Sequence, residues 1–288
     1  MKYDYILHGW QLSYFSGKLR GYMRYKNLNF QDRAVNAYDL MRRIPKKTGA
    51  VVMPVVQTKS GEWLQDSTEI IAELERRHPS SPVVPATPRQ HIAALLLEAW
   101  ADEFWIPAAM HYRWSYPENY ALFEREGGRD LLPYAPRFLR RPLVAKIARG
   151  LKGFLPAVGV VPEQLTLLER WANGTLDVLE AHFSQHSYLF GEQPTIADFA
   201  LIGPLFAHLN RDPAPKRDLI DPRPALQRWI ERVHNGEAAS GELLAGDQIP
   251  ATLEALFSAL FAEFFGQLEA LLAALQSIRP NCPPPKIP

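Results

Sequence analysis

Val51-Val52-Met53-Pro54-Val55-Val56 is the segment with the strongest β-strand character in the chain. It is rich in β-branched residues and is followed by Thr58-Lys59-Ser60-Gly61, which predicts a strand ending in a turn. Glu62-Trp63-Leu64 would return as the second strand of the hairpin. Because Pro54 cannot donate to a neighbouring strand, it requires a sheet edge or a special backbone geometry. A cis bond after Met53 would expose the Met53 backbone to a ligand, whereas base rates favour an ordinary trans proline.

The segment before this hairpin predicts a strand over Tyr3–His8, a loop over 9–15 and a helix over 17–27. The stretch Leu12–Arg20 carries several hydroxyl groups just where the helix is expected to start. The positive end of a helix favours an anion, so a hydroxyl there can also donate to a thiolate sulfur. A serine at such a position more often simply caps the helix, and both interpretations apply to Ser13 and Ser16.

A second helix start follows the hairpin. Asp66 precedes a helix predicted over Ser67–His78, and Glu69 stands three residues further on, as in a capping box. Backbone N–H groups and the Ser67 hydroxyl could hold a carboxylate, while Asp66 could hold an ammonium group. Together they would bind both ends of an α-amino acid, although an ordinary helix cap has the same sequence pattern.

The chain changes character at a proline-rich linker, 81–88, which separates a small α/β unit, 1–80, from a helical unit, 89–248. The helical pattern is clearest over 89–113, 163–182, 222–234 and 250–277, whereas the helices of 115–162 have no clear pattern. Thr195-Ile196-Ala197-Asp198 predicts the capped start of a buried helix. This role is structural.

A cluster of aromatic and polar residues ends the first long helix of this unit. Its members are Trp105, His111, Tyr112 and Trp114. They could line an apolar substrate pocket, although aromatic residues at such a position more often belong to the core. His111 has no histidine or carboxylate at metal-ligand spacing, so we expect no metal site.

The charge and composition narrow the class of protein. The 288 residues include 32 Lys and Arg against 31 Asp and Glu, a balance that argues against nucleic acid as a partner. The single cysteine, Cys282, excludes an internal disulfide and a multi-cysteine zinc site, and its proline-rich setting is a poor place for a nucleophile. The start of the chain lacks a signal-peptide pattern, so we expect a soluble, cytoplasmic protein.

The C-terminal extension, 249–288, carries a long apolar stripe from Leu253 to Leu275. Glu254, Glu263 and Glu269 interrupt it, so we expect no membrane span. Such an apolar helix must pack against something. We expect it to cover the substrate cleft, to join a dimer contact or to seal the core.

These features, in this order, resemble the glutathione transferase superfamily over roughly residues 3–235. The resemblance implies a thioredoxin-like N-terminal domain and an all-helical C-terminal domain, followed here by an extra C-terminal helix. It also implies that Pro54 is cis, that Met53, Pro54, Asp66 and Ser67 bind glutathione, and that Thr195 to Asp198 caps a buried helix. Ser13 is the first candidate for the glutathione sulfur, ahead of Tyr14 and Ser16. Motifs such as Met-Pro-Val-Val, Gln-Asp-Ser-Thr-Glu-Ile-Ile and Met-His-Tyr-Arg-Trp are similar to those of an uncharacterised bacterial branch.

The activity implied by this resemblance is that of a transferase. Glutathione would be the co-substrate, and its thiolate would attack a hydrophobic electrophile, as in detoxification. The family also implies a homodimer. Tyr14 stands where serine- and cysteine-type members have proline, and the stretch 45–54 is longer than usual. Both departures favour the alternative, a non-catalytic binding or scaffold module on the same fold.

Overall fold

A four-stranded mixed sheet forms the centre of the N-terminal unit in the computed structural model, which describes residues 2–278. Its strands are β1 (Tyr5–Gly9), β2 (Phe30–Ala34), β3 (Val55–Thr58) and β4 (Trp63–Gln65), in the order β2-β1-β3-β4. β1 runs parallel to β2 and antiparallel to β3, and β3 pairs antiparallel with β4. Helices α1 (Tyr14–Tyr25), α2 (Ile44–Thr48) and α3 (Ser67–Arg77) complete the unit. This is the thioredoxin-like arrangement that the sequence predicted.

Three local details differ from the predictions. β2 was not predicted, because its sequence Phe-Gln-Asp-Arg-Ala is mostly polar, as an edge strand with an exposed face allows. Helix α1 begins at Tyr14, three residues earlier than expected, with Ser13 as the residue before it. Strand β3 begins only after Pro54, because proline cannot donate to the ladder. The Met53–Pro54 bond is cis, which confirms the expectation.

Helices make up the second unit. They are α4 (Pro88–Glu103), α5 (Ile106–Ser115), α6 (Pro117–Leu131), α7 (Arg137–Gly153), α8 (Leu165–Phe183), α9 (Ile196–Pro204) and α10 (Pro224–Asn235). The single helix predicted over 89–113 is therefore two helices. Pro107 lies in the first turn of α5, where its missing N–H leaves no hydrogen bond unmade. Inside a continuous helix the same proline would have removed one.

The start of α9 is capped as predicted. The Thr195 backbone N–H donates to the Asp198 carboxylate at 2.8 Å, and a reciprocal bond from the Asp198 backbone to Thr195 completes the capping box. Asp198 is fully buried and also accepts from Trp229 Nε1 at 3.0 Å. Burial raises the pKa of the Asp198 carboxyl to about 6, although its hydrogen-bond donors oppose that shift.

The two units meet where α1 packs against α9. A side-chain carbon at Gly17 would lie 3.7 Å from Gly203, and one at Gly203 would lie only 3.0 Å from the Tyr14 ring and carbonyl. The Tyr14 hydroxyl donates to the Ala101 carbonyl of α4. The buried Arg113 of α5 donates to the Leu12 carbonyl at 2.5 Å. The beginning of α1 is therefore fixed by the helical unit.

The C-terminal helix α11 (Ala251–Ser277) packs on the helical unit with its first half only. There the buried side chains are those of Leu253, Leu256, Leu260 and Phe264. In the second half Leu268, Leu271, Leu272 and Leu275 are exposed. Among the described residues, α11 is the one helix long and apolar enough to cross a membrane by length and composition, a test that helices of soluble proteins also pass. Cys282 and the rest of the extension after residue 278 lie outside the described residues.

Candidate functional site

A cleft of about 800 Å³ lies between the N-terminal unit and the end of α4. Its walls are the segment 50–54, the segment 65–69, Phe15 of α1, and Asp102 and Glu103 of α4. The structure therefore brings together Met53, Pro54, Asp66 and Ser67, the four residues expected to bind glutathione. Ala50, Val51 and Val52 of the long segment before Pro54 also line this cleft.

The N-terminus of α3 forms one wall of the cleft. Asp66 has a φ of +70° and caps the helix, because its Oδ1 accepts from the backbone N–H of Thr68 at 2.9 Å and of Glu69 at 3.4 Å. Ser67 is buried at the first helical position. The Asp66 carboxylate already accepts from the N–H groups of Thr68 and Glu69, so the Ser67 N–H and hydroxyl are the donors left at the positive end of α3.

Ser13 holds the position before α1, and its side chain does not cap that helix. The Ser16 hydroxyl donates to Ser13 Oγ at 2.9 Å, and Ser16 Oγ in turn accepts from the Trp10 N–H at 3.4 Å. Since Ser13 Oγ accepts from Ser16, its own hydrogen remains available to donate. Phe15, two residues after Ser13, lines the cleft. Ser13 thus carries a donor at the positive end of α1, two residues before Phe15, although Ser13 itself does not line the cleft.

The other two candidates for the sulfur are placed differently. Tyr14 is buried in the interface between the units, and its hydroxyl is used by the Ala101 carbonyl. Burial and the nearby carboxylate of Asp102 raise the pKa of the Tyr14 hydroxyl well above its usual value. Ser16 is completely buried behind Ser13. Neither Tyr14 nor Ser16 lines the cleft, and both side chains are buried, so Ser13 remains the first candidate for the sulfur.

A buried ion cluster lies behind the α3 wall. Lys18 Nζ donates to Glu98 Oε1 at 2.7 Å, to Asp102 Oδ2 at 2.5 Å and to Thr68 Oγ1 at 3.0 Å. Lys18 is completely buried, and the two carboxylates are nearly so. Burial raises the pKa of Asp102 to about 6, whereas Lys18 lowers it. This cluster joins α1, α3 and α4 directly beside the cleft.

Sequence reasoning missed this cluster, although one signal was available. Glu98 and Asp102 are like charges four residues apart in the mainly apolar second half of helix α4. Such a pair is unfavourable on an isolated helix, so it indicates a cation between the two carboxylates. The partner could not be identified from the sequence, because Lys18 lies far away in the chain.

The four residues expected to line a substrate pocket are core residues instead. Trp105 is fully buried against Trp171, with ring centroids 4.8 Å apart, and Trp114 packs on Phe123 at the same distance. His111 and Tyr112 are buried as well, and His111 Nε2 lies 2.9 Å from the Glu169 carboxylate. Their aromatic surface is buried in contacts between helices, and none of the four residues lines the cleft described above.

A second cleft, of about 880 Å³, lies on the other side of Glu103, which belongs to both clefts. Its apolar wall comes from Phe104, Leu167, Leu168, Trp171, Pro107 and Val158. Its polar groups include Glu103, Arg170 and Gln164. Glu263 and Gln267 of α11 also line it, so the C-terminal helix both seals the core and borders this cleft. Within residues 2–278, no three His, Cys, Asp or Glu side chains are placed to hold a metal ion.

Two family descriptions match the chain. Residues 7–82 match the glutathione S-transferase N-terminal domain, and residues 172–232 match the glutathione S-transferase C-terminal domain. The matches fall on the two units in the order that the fold requires. The chain therefore carries both the N-terminal and the C-terminal domain of the glutathione S-transferase superfamily. No curated protein matches the sequence significantly.

Solved structures of this superfamily resemble the chain along most of its length. A glutathione S-transferase from Methylobacterium radiotolerans JCM 2831, in complex with glutathione sulfonate, is 18% identical with a TM-score of 0.53, and the match covers 85% of this chain and 99% of that one. A GST-like protein from Pseudomonas syringae is 22% identical with a TM-score of 0.54, covering 83% and 70%. The beta-etherase LigF from Sphingobium sp. strain SYK-6 is 17% identical with a TM-score of 0.54, covering 88% and 99%. At these identities the likeness shows the fold.

Proposed function

We propose that the chain binds glutathione in the first cleft and presents its thiolate to an apolar electrophile held in the second. The observation that carries this proposal is the meeting of Met53, Pro54, Asp66 and Ser67 around one cleft. A related protein of the same fold was crystallised with glutathione sulfonate, which supports the choice of ligand. The cytoplasmic location and the detoxification role expected from the family are part of this proposal.

The γ-glutamyl end and the central thiol of the tripeptide would be bound at two different helix starts. Asp66 would accept from the ammonium group of the γ-glutamyl end, while the Ser67 backbone N–H and hydroxyl would donate to its carboxylate. Ser13 would donate its free hydrogen to the sulfur, and the positive end of α1 would further favour the thiolate. A serine without a second thiol favours conjugation over disulfide reduction.

The apolar wall of the second cleft supports a hydrophobic co-substrate. Leu167, Leu168, Phe104 and Trp171 supply that wall, and Glu103 connects it to the first cleft. An electrophile there would approach a thiolate from the helical side.

One observation favours the alternative, a binding module without catalysis. Phe15, and not Ser13, is the residue of the α1 start that lines the cleft. If the Ser13 hydroxyl does not reach the sulfur, glutathione would be held without activation of its thiol. Binding and thiol activation are therefore measured separately in the experiments below.

Glutathione binding is tested by calorimetry on wild type, Asp66→Ala and Asp247→Ala. Both aspartates cap a helix start, since Asp247 accepts from the backbone N–H groups of Arg89 and Gln90 at 2.9 Å, but only Asp66 lines the cleft. Loss of a charged hydrogen bond to the ligand corresponds to about a tenfold or greater loss of affinity for Asp66→Ala. Asp247→Ala should bind like wild type. Equal affinities for all three proteins, or no binding by wild type, would contradict the proposal.

We also propose that the protein is a homodimer. A two-fold dimer is the commonest soluble assembly, and Ile92 and Leu95 expose apolar surface on the outer face of α4. Sedimentation equilibrium at micromolar concentration should give twice the 32.7 kDa mass of the chain. A mass equal to that of one chain would exclude the dimer.

A further inference from the structure

The cations of the helical unit are unevenly distributed along the chain. No acidic residue lies between Asp130 and Glu163, a stretch that includes all of α7. The same stretch carries Arg137, Arg140, Arg141, Lys146, Arg149 and Lys152. The whole chain is almost neutral, so this concentration of positive charge is a local property of α7. None of these six cations has a role in the glutathione site proposed above.

Large apolar side chains are exposed on and beside the same helix. Phe138 is 72% exposed and Leu139 is 53% exposed in the first turn of α7, although Val144 and Ala148 of the same helix are buried. Tyr134, just before the helix, is 99% exposed, and Phe154, just after it, is 63% exposed. The buried side of α7 already packs on the body of the protein, so these exposed side chains add nothing to the core.

Three of the six cations form ion pairs or hydrogen bonds with other described residues. Arg137 and Arg141 both bond the Glu124 carboxylate, at 3.0 Å each, and Arg140 donates to the backbone carbonyls of Ala135 and Pro133. Among the described residues, Lys146 and Arg149 have no ion-pair partner, and both are exposed. Glu124 is therefore the one carboxylate that pairs with α7 in the part of the chain that the structure describes.

Helical spacing places the free cations beside the apolar side chains. Phe138, Pro142, Lys146 and Arg149 follow one another at intervals of three and four residues, which brings them onto one face of α7. Each of the four is exposed. This outer face of α7 is therefore apolar at its first end, near Phe138, and cationic at its second end, near Arg149.

We infer that the outer face of α7 docks on the surface of an anionic phospholipid membrane. Cations flanking exposed Phe and Leu side chains are the composition of helices that lie in the membrane interface, where the apolar groups enter the headgroup region and the cations meet anionic lipids. A nucleic acid would engage the cations but would leave Phe138 and Leu139 without an apolar contact. The occupant that uses both kinds of side chain is the lipid surface.

The position of α7 gives the docking a consequence for the second cleft. Val158 and Gly159, which follow α7 closely in the chain, line that cleft. Docking would bring the cleft rim close to the bilayer, where apolar molecules concentrate. This consequence rests on the proposed function, whereas docking itself can be measured without glutathione or substrate.

The test is cosedimentation of the full chain with vesicles of phosphatidylcholine alone and of phosphatidylcholine with one quarter phosphatidylglycerol. We expect binding to the anionic vesicles that weakens with added salt, and little binding to the neutral ones. Lys146→Gln with Arg149→Gln should weaken binding by about fivefold for each charge removed. Phe138→Ser should weaken it by about tenfold. All three residues are exposed, so these variants should fold normally.

Two matched controls separate α7 from other surfaces. Arg228→Gln removes an exposed cation from α10, and Leu272→Ser removes a side chain of α11 that is 57% exposed. Both should bind vesicles like wild type. Absence of vesicle binding, equal binding to neutral vesicles, or loss of binding in Leu272→Ser would overturn the inference. So would binding of a short DNA duplex that Lys146→Gln with Arg149→Gln weakens and Phe138→Ser does not.

Discussion

Replacing Lys18 with methionine is expected to lower the free energy of unfolding by about 3–5 kcal/mol. The methionine fills similar space but leaves Glu98 and Asp102 facing each other without the cation that joins them. Two carboxylates in a buried position repel each other and lose their solvation. Because Thr68 also bonds Lys18 and Glu98, the start of α3 should loosen together with the helix contacts.

The loss should depend on pH. Burial already raises the pKa of Asp102 to about 6, and removal of Lys18 takes away the main opposing influence. A carboxyl whose pKa is higher in the folded state than in the unfolded state binds more protons when folded, so protonation stabilises the fold. The deficit of Lys18→Met should therefore be largest near pH 8 and smaller near pH 5.

Urea denaturation at both pH values measures this effect, and Lys59→Met is the matched control. Lys59 pairs with Asp4 at 3.2 Å, but both side chains are largely exposed, so its loss should cost less than about 1 kcal/mol. Similar, small losses in both variants would show that the buried cluster does not stabilise the fold. A deficit of Lys18→Met that is independent of pH would contradict the role given to the carboxylates.

The second large effect concerns the thiol. Ser13→Ala is expected to raise the pKa of bound glutathione by about one to two units, because a hydrogen bond to a charged group contributes about 1.5–3 kcal/mol and one unit corresponds to about 1.4 kcal/mol. The affinity for glutathione should change little. The ultraviolet absorbance of the thiolate, followed against pH with glutathione bound, gives the pKa directly.

Three further variants show whether a shift in the thiol pKa is specific to Ser13. Tyr14→Phe removes a bond to the Ala101 carbonyl but no group at the ligand, so the thiol pKa should stay at its wild-type value. Ser16→Ala removes the donor that orients Ser13 and should produce a smaller shift than Ser13→Ala. Asp66→Ala should lower affinity and leave the pKa almost unchanged. A shift in Tyr14→Phe with none in Ser13→Ala would transfer the role to Tyr14, and a wild type without thiolate at neutral pH would support the binding module.

What could be predicted from the sequence was mostly local. Asp66 and Thr195 were identified as helix caps because a cap is formed by residues three positions apart, and Pro54 could be singled out because proline inside a strand pattern is unusual. The order of these features then indicated the fold. Such local features can be predicted because they depend on residues that are close together in the sequence.

What failed depended on contacts between distant residues. Trp105 and Trp114 are core residues, yet a row of aromatic residues at a helix end looks the same whether it faces a ligand or another helix. Lys18 meets Glu98 and Asp102 only after the two units have packed together. The stretch 115–162 contains all of α6 and α7, but its prolines and arginines obscured the helical pattern.

The glycine contact between α1 and α9 determines more than the packing of two helices. Any side chain at residue 203 would meet both the Tyr14 ring and the Tyr14 carbonyl at 3.0 Å, so trimming the ring alone would not make room. The Tyr14 backbone at the start of α1 would have to shift by a few tenths of an ångström, and the adjacent Ser13 would shift with it. The position of the candidate thiol donor, Ser13, is thus set by packing against the helical unit. A substitution in the helical unit can therefore displace the Ser13 hydroxyl although no residue of the cleft has changed.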